Sequence, residues 1–457
     1  MMLKVINPST EMLIEEIPTT DPSTMEQLFD RSKKAQKIWQ QLDFSERAKV
    51  VLKFRDLLLE EIDACADILS AEMGKPVHHA KGEIKATAGR IDWFLENTQR
   101  LLQERKVHQA ESLHESITCE PLGVIGNISA WNYPYFVGSN IFIPALLTGN
   151  SVLYKPSEYA SMTGLKIGSL WRDAGLIQDV FQTVIGRGDL GHSLCSLPVS
   201  GMFFTGSQNT GVKISKKISE KLIPLGMELG GKDPAYICED VDISRAAEVV
   251  GDGAFYNAGQ SCCAVERIYV HTDIYEKFCQ KLKEFVQNIE VGDPRDENVY
   301  MGPLARKEQL DFIDAQVQDA LEKGAKYVVK GGRKPGKGYY YHPGILSHVN
   351  HNMRIMNEET FGPLACVQAV QNDAEAVRLM NSSCYGLTAS VHTNDEERAR
   401  KILHEIEAGT VYWNCCDRIS PYLPWSGRKL SGLGSTLSEA GIRVFLQEKS
   451  WHMQGKA

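Results

Sequence analysis

The 457-residue sequence predicts an α/β protein made of two doubly wound α/β units with a small β arm. Three observations lead there. The chain opens with a long helical run, two successive blocks then alternate short apolar runs with amphipathic stretches, and two segments of strand-like pattern lie outside those blocks. At 43% hydrophobic and 24% charged residues, the composition is ordinary for a globular chain with a sizeable core.

From Pro22 to about Gln103 the pattern is helical, with Val50, Val51, Leu52, Phe54, Leu57, Leu58 and Leu59 at three-and-four spacing and a stop at Gly74-Lys75-Pro76. His78-His79 has no third ligand at a metal-site spacing and reads as a solvated helix start. Between Lys106 and Glu120 the residues alternate, as in Ser116-Ile117-Thr118-Cys119, which predicts a strand. Strands are then expected at Val124 to Ile128, Ser151 to Lys155, Thr183 to Gly186 and Met202 to Thr205, with a helix over Ser161 to Ala174. This alternation predicts a parallel sheet covered on both faces, whose ligands bind at the carboxyl ends of the strands. A second α/β unit follows, with a strand at Arg267 to His271 and helices at Ile274 to Ile289 and Leu304 to Lys323. Its further strands centre on Tyr327, Ile345, Cys366, Ala389 and Val411. Residues 331 to 338 form a turn-rich loop, and Arg443 to Met453 reads again as a strand.

A net charge of −8, with no Lys/Arg run longer than two, argues against nucleic acid or an anionic membrane as partner. The 11 cysteines are scattered without a Cys-x-x-Cys, so neither a disulfide framework nor a metal site is expected, and a reducing compartment is. The most apolar window, Phe136 to Tyr154, is broken by Ser139, Asn140, Pro144 and Gly149. A cytoplasmic, unanchored protein is the expectation.

Chemistry concentrates in Leu225 to Glu266. Met227-Glu228-Leu229-Gly230-Gly231-Lys232 places a carboxylate before two glycines, and Asn257-Ala258-Gly259-Gln260-Ser261-Cys262-Cys263 places a thiol in a loop. Taken alone, such a Cys reads as a small buried hydrophobe and such a Glu as a solvated strand end. Together the two segments resemble the signatures of the NAD(P)-dependent aldehyde dehydrogenase superfamily, of the hydrolytic, non-acylating type, and the resemblance covers essentially the whole chain.

The resemblance implies roles. Cys262 is the nucleophile, the Asn132 amide of Ala130-Trp131-Asn132-Tyr133-Pro134 stabilises the oxyanion, and Glu228 activates the hydrolytic water. A free thiol has a pKa of about 8.5 and needs help from the nicotinamide ring or Glu228. NAD would be held by Trp131, Lys155, Ser157, Glu158, Gly186, Gly206, Ser207, Leu229, Gly230, Glu359 and Phe361. NADP is less favoured, since a carboxylate at Glu158 accepts ribose hydroxyls and repels a 2′-phosphate. The substrate pocket would be formed by Tyr133, Val137, Asn140, Tyr256, Ser261, Cys263, Arg418 and Trp425.

The implied domains are a Rossmann-like NAD-binding unit at 1–105 and 121–229, a catalytic unit at 230–430, and an oligomerisation arm at 106–120 and 438–457 that makes a homodimer or homotetramer. Arginines that relatives acting on carboxylate-bearing semialdehydes carry are missing at Asn140 and Tyr256, which counts against succinate semialdehyde. Tyr133 and Trp425 suit an aromatic box for a trimethylammonium group, although the aromatic often found at the position of Asn140 is absent. Arg418, in the Cys415-Cys416-Asp417-Arg418 loop, reads first as a solvated charge. Ser435-Thr436 replace a common Arg-Glu pair and are expected to affect loop geometry and the subunit contact, leaving the chemistry alone. A redox-independent cysteine hydrolase or thioesterase and a non-catalytic NAD-binding protein are the competing readings. Lys155, Glu158 and Glu359 weigh against the first, and intact Asn132, Glu228 and Cys262 against the second.

Overall fold

The computed structural model describes residues 1–455. It opens with a hairpin that the sequence pattern did not predict, β1 (Met2–Ile6) and β2 (Leu13–Pro18), whose buried Leu3, Val5 and Ile17 pack on Ile185. Four helices follow: α1 (Met25–Trp39), α2 (Phe44–Glu60), α3 (Ile62–Met73) and α4 (Val77–Leu101). Helix α2 starts where Glu46 reaches back to the Asp43 amide at 2.9 Å. Helix α3 stops at Gly74, whose φ of 84° is left-handed; a Cβ there would lie 2.6 Å from Pro303. The helices bury one face each against a core in which Phe54 stacks on Trp171 at 3.8 Å and the Trp39 indole donates to Leu146 O at 2.9 Å.

β3 (Arg105–Gln109) and β4 (Leu113–Pro121) lead into the first large sheet. Its strands are β5 (Val124–Ile128), β6 (Ser151–Lys155), β7 (Phe181–Thr183), β8 (Gly201–Thr205) and β9 (Leu225–Glu228), in the order β9-β8-β5-β6-β7 and all parallel. Strand β7 lies a little before the expected Thr183 to Gly186. The helices between them are α5 (Pro134–Leu147), α6 (Ser161–Asp173), α7 (Gly188–Ser196) and α8 (Gln208–Ile218). The apolar window at Phe136 to Tyr154 is a buried helix and strand, and no helix among the described residues is long and apolar enough to cross a membrane.

The chain passes from the first sheet to the second in four residues, from Glu228 at the end of β9 to Asp233 at the start of β10 (Asp233–Ile237). With β11 (Val265–His271), β10 sits inside a seven-stranded sheet that also contains strands 326–329, 344–347, 364–370, 388–392 and 410–413. Only the 326–329 edge runs antiparallel. The turn-rich loop after 331 carries a short ladder, Gly332–Arg333 against Tyr341–His342.

Near its end the chain returns to the first unit. Gly432–Leu433 adds an antiparallel edge to β9, and Leu437, Ile442 and Phe445 enter the first core. Ser438–Arg443 is a short helix, so the C-terminal strand begins at Leu446, later than the sequence pattern suggested. Leu446–Gln454 pairs antiparallel with β4, which also pairs with β3, and the three make an exposed sheet. Residues 456–457 of the expected arm lie outside the described residues.

Candidate active site

A cavity of about 1560 Å³ lies between the two sheets, at the carboxyl ends of the first sheet's strands. Every residue expected at the site lines it except Gly186. At Gly186 a Cβ would sit 2.8 Å from the Leu190 side chain, so this glycine serves the packing of α7 instead. Gly206 and Gly211 serve packing as well, since Cβ atoms there would meet Phe204 at 2.5 Å and Leu229 at 2.7 Å.

The thiol loop is held in an uncommon backbone shape. Asn257, Ala258 and Gly259 have φ of 54°, 57° and 68°, all left-handed, and a Cβ on Gly259 would lie 2.2 Å from Gly362 O. The Gln260 carbonyl accepts from Asn257 Nδ2 at 3.2 Å and from Asn132 Nδ2 at 3.1 Å, which ties the amide-bearing turn to the thiol loop. One N–H of the Asn132 amide remains for a ligand. Among the described residues the Cys262 N–H has no hydrogen-bond partner. The Gly-Gly pair sits in close contact: a Cβ would lie 2.3 Å from the backbone Cys262 O at Gly231, and 2.3 Å from the Glu359 carboxylate at Gly230, which would have to move.

Glu228 lines the same cavity from the end of β9. Its carboxylate accepts from the Thr436 hydroxyl, so the Ser435-Thr436 replacement does reach the candidate base, against the sequence expectation. Burial raises the Glu228 pKa, and Thr436, then the nearby Arg90, pull it back down.

Two buried ion pairs position the surrounding turns. Lys75 pairs with Glu83, donates to Asn132 O at 2.7 Å, and lies 3.8 Å from the Tyr133 ring centroid. Glu83 in turn accepts from Tyr135 N at 2.9 Å and Phe136 N at 3.4 Å, satisfying amides in the first turn of α5. On the other side Lys232 pairs with Glu266, whose oxygens accept from Thr360 N at 2.8 Å and Phe361 N at 2.9 Å. This fixes the turn that carries Glu359, which accepts from Gly231 N at 3.0 Å and whose pKa burial and Glu266 push up to about 8.

One half of the cavity is lined by polar groups. Lys155 ends β6 and Ser157 and Glu158 follow it, Gly206 and Ser207 precede α8, and Glu359 and Phe361 line the same cavity. The Arg306 guanidinium, 5.5 Å from the Trp131 ring and 5.9 Å from that of Tyr159, joins this wall. A helix start, a buried lysine and two carboxylates fit the phosphates and ribose hydroxyls of a dinucleotide.

In the other half, Tyr133 and, on α5, Phe136, Val137 and Asn140 share the cavity wall with Tyr256, Cys263, Asp417 and Trp425. Asp417 accepts from Cys263 Sγ at 2.9 Å, and the contact with Cys262, then burial, pushes the Cys263 thiol well up. His79, expected at a solvated helix start, is buried 4.2 Å from the Tyr256 ring, and burial lowers its pKa to about 3. His78 is exposed, as expected, while His79, one residue on, is turned inward against Tyr256. Arg418 remains an exposed charge at the mouth, 3.9 Å from Asp252. Lys75, Glu83, Arg90, Arg306 and Asp417 were not singled out from sequence, and only Thr436 had a signal, as a departure from the expected pattern.

Two facing α/β units with a thiol and a carboxylate in the cleft between them define a dehydrogenase scaffold with a cysteine at its centre. The aldehyde dehydrogenase family model matches residues 1–451, and the chain belongs to that family. It is 34% identical to a chloroplastic betaine aldehyde dehydrogenase of Amaranthus hypochondriacus over 461 residues, covering 98% of this chain and 92% of that one. It is 32% identical to a succinate-semialdehyde dehydrogenase [NADP(+)] of Deinococcus radiodurans, covering 97% and 93%. The crystal structure of betaine aldehyde dehydrogenase from Staphylococcus aureus in complex with NAD+ superposes with a TM-score of 0.96 at 28% identity, over 100% of this chain and 92% of that one.

Removing one member of a buried pair strands the other. Lys75→Met is expected to cost about 3–5 kcal/mol, read as a lower melting midpoint; an unchanged midpoint would contradict the positioning role of Lys75.

Proposed function

We propose that this protein oxidises an aldehyde to its carboxylic acid with NAD, through a thiohemiacetal and thioester on Cys262. The observation that carries the reading is the meeting of Cys262, Glu228 and the Asn132 amide in one cavity that continues into a groove lined by polar groups. Cys262 gives its thiol proton to solvent and attacks as the thiolate: its sulfur forms a bond to the aldehyde carbon, the C–O π bond breaks, and the oxygen takes up the negative charge. The free Asn132 N–H and the unpartnered Cys262 N–H are suited to donate to that oxygen without titrating. NAD, when bound, supplies the hydride acceptor. As the carbonyl re-forms, the C–H bond gives up its hydride and a thioester remains on Cys262. Glu228 then takes a proton from water, the oxygen attacks the thioester, and the C–S bond breaks to release the acid.

The cofactor groove supports NAD over NADP, because the Glu158 carboxylate stands beside Ser157 where a ribose would lie. Eleven free cysteines support a reducing, cytoplasmic setting. A homodimer or homotetramer is the proposed assembly, supported by the exposed sheet of β3, β4 and Leu446–Gln454, where Val107, Trp451 and Met453 are apolar and 41–56% exposed.

Two measurements test the scheme. Purified protein should form NADH from NAD across a panel of neutral, cationic and anionic aldehydes, and Cys262→Ala should abolish turnover while NAD binding persists. Silence with every aldehyde, or turnover by Cys262→Ala, would contradict it. The second concerns pH. Glu228 acts ionised, and the Thr436 hydroxyl favours that form, so Thr436→Val should raise the Glu228 pKa further and move the acidic limb of kcat to higher pH. A limb that stays in place or moves to lower pH would refute the Thr436 contribution.

A further inference from the structure

Arg90 reaches from α4 into the substrate half of the cavity with only 4% of its surface exposed. Its Nη1 donates to Asn140 Oδ1 at 2.9 Å, and its guanidinium carbon lies 3.9 Å from the Phe136 ring centroid. Asn140 is its one hydrogen-bond partner among the described residues, and that partner is neutral. The carboxylates of this region are engaged elsewhere: Glu83 with Lys75, Glu228 with Thr436, and Asp417 with Cys263 and Ser261. The remaining guanidinium nitrogens, Nε and Nη2, are not sealed in protein. Burial brings the Arg90 pKa down to about 10, which leaves it a cation at neutral pH.

Glu228 and Glu83 act on Arg90 through space and neither hydrogen-bonds it, and a planar guanidinium with free N–H groups matches a carboxylate in two parallel hydrogen bonds. Resting on the oxidation reading above, we propose that Arg90 is the specificity-determining residue of this pocket and receives the carboxylate at the far end of a semialdehyde acid. The arginines absent at positions 140 and 256 are replaced by one supplied from the neighbouring helix, which Asn140 holds in place. The missing arginines at Asn140 and Tyr256 therefore do not bar a carboxylate-bearing substrate from this pocket. Phe136 and Asn140 lie within the first two turns of α5, the helix that begins two residues after Asn132, at a rise of roughly 3 and 9 Å from its first residue, so a short acid fits better than a long-chain one.

The test compares kcat/KM for a short semialdehyde acid, a neutral alkanal of equal length and an amino-aldehyde of equal length, in wild type, Arg90→Met and Arg90→Lys. Wild type should prefer the acid, Arg90→Met should lower the acid-to-alkanal ratio on the order of 30-fold, mainly through KM, and Arg90→Lys should recover part of it. Glutarate should compete with the neutral alkanal in wild type, a readout that holds even if a variant fails to fold. An unchanged ratio, a wild-type preference for the amino-aldehyde, or no competition by glutarate would overturn the role of Arg90 while leaving aldehyde oxidation intact. Failure of wild type to oxidise any of the three would instead overturn the oxidation reading and this proposal with it.

Discussion

The cleft depends on one close approach. Between the end of β9 and the start of β10 the chain crosses from one sheet to the other, and in that crossing Gly230 and Gly231 press against the Glu359 carboxylate and the Cys262 carbonyl. A side chain at Gly231 would strike the Cys262 backbone carbonyl, and one at Gly230 would displace the Glu359 carboxylate. The contact gathers three segments that are distant in sequence, so that the candidate base ends a strand of the first sheet while the thiol loop and the Glu359 turn belong to the second. Any residue larger than glycine would push the thiol loop and the Glu359 turn away from the carboxylate that faces them.

Around this crossing the polar turns are held by buried charge instead of apolar packing. Lys75 with Glu83 secures the Asn132 turn and the first amides of α5, and Lys232 with Glu266 secures the Glu359 turn. Buried ion pairs are weak sources of net stability, since desolvation offsets much of their attraction. Their value here is geometric: each satisfies backbone groups that water does not reach and fixes a loop that carries a candidate site residue.

Much of this was legible in the sequence because strand–helix alternation is a local pattern. β5 and β6 lie where the apolar runs placed them, and the two signature segments pointed to Cys262 and Glu228. The remainder was hidden for physical reasons. Three-and-four spacing marks the buried face of α4 by its apolar residues, and so cannot reveal that His79 is also buried or that Glu83 and Arg90 line a cleft built by other segments. Thr436 reaches Glu228 only because the chain returns to β9 some 200 residues later, a long-range pairing with no local trace. The β1–β2 hairpin is short and mostly polar, so its alternation is weak.

The central claim is that Cys262 carries the acyl group and Glu228 is needed only to release it. The most direct measurement mixes Glu228→Gln with NAD and an aldehyde, follows NADH formation, and then determines the mass of the protein and the position of any adduct. The account predicts a single burst of NADH per subunit followed by a stall, with one acyl group on Cys262. Continued turnover at the wild-type rate, or an adduct on Cys263, would contradict it.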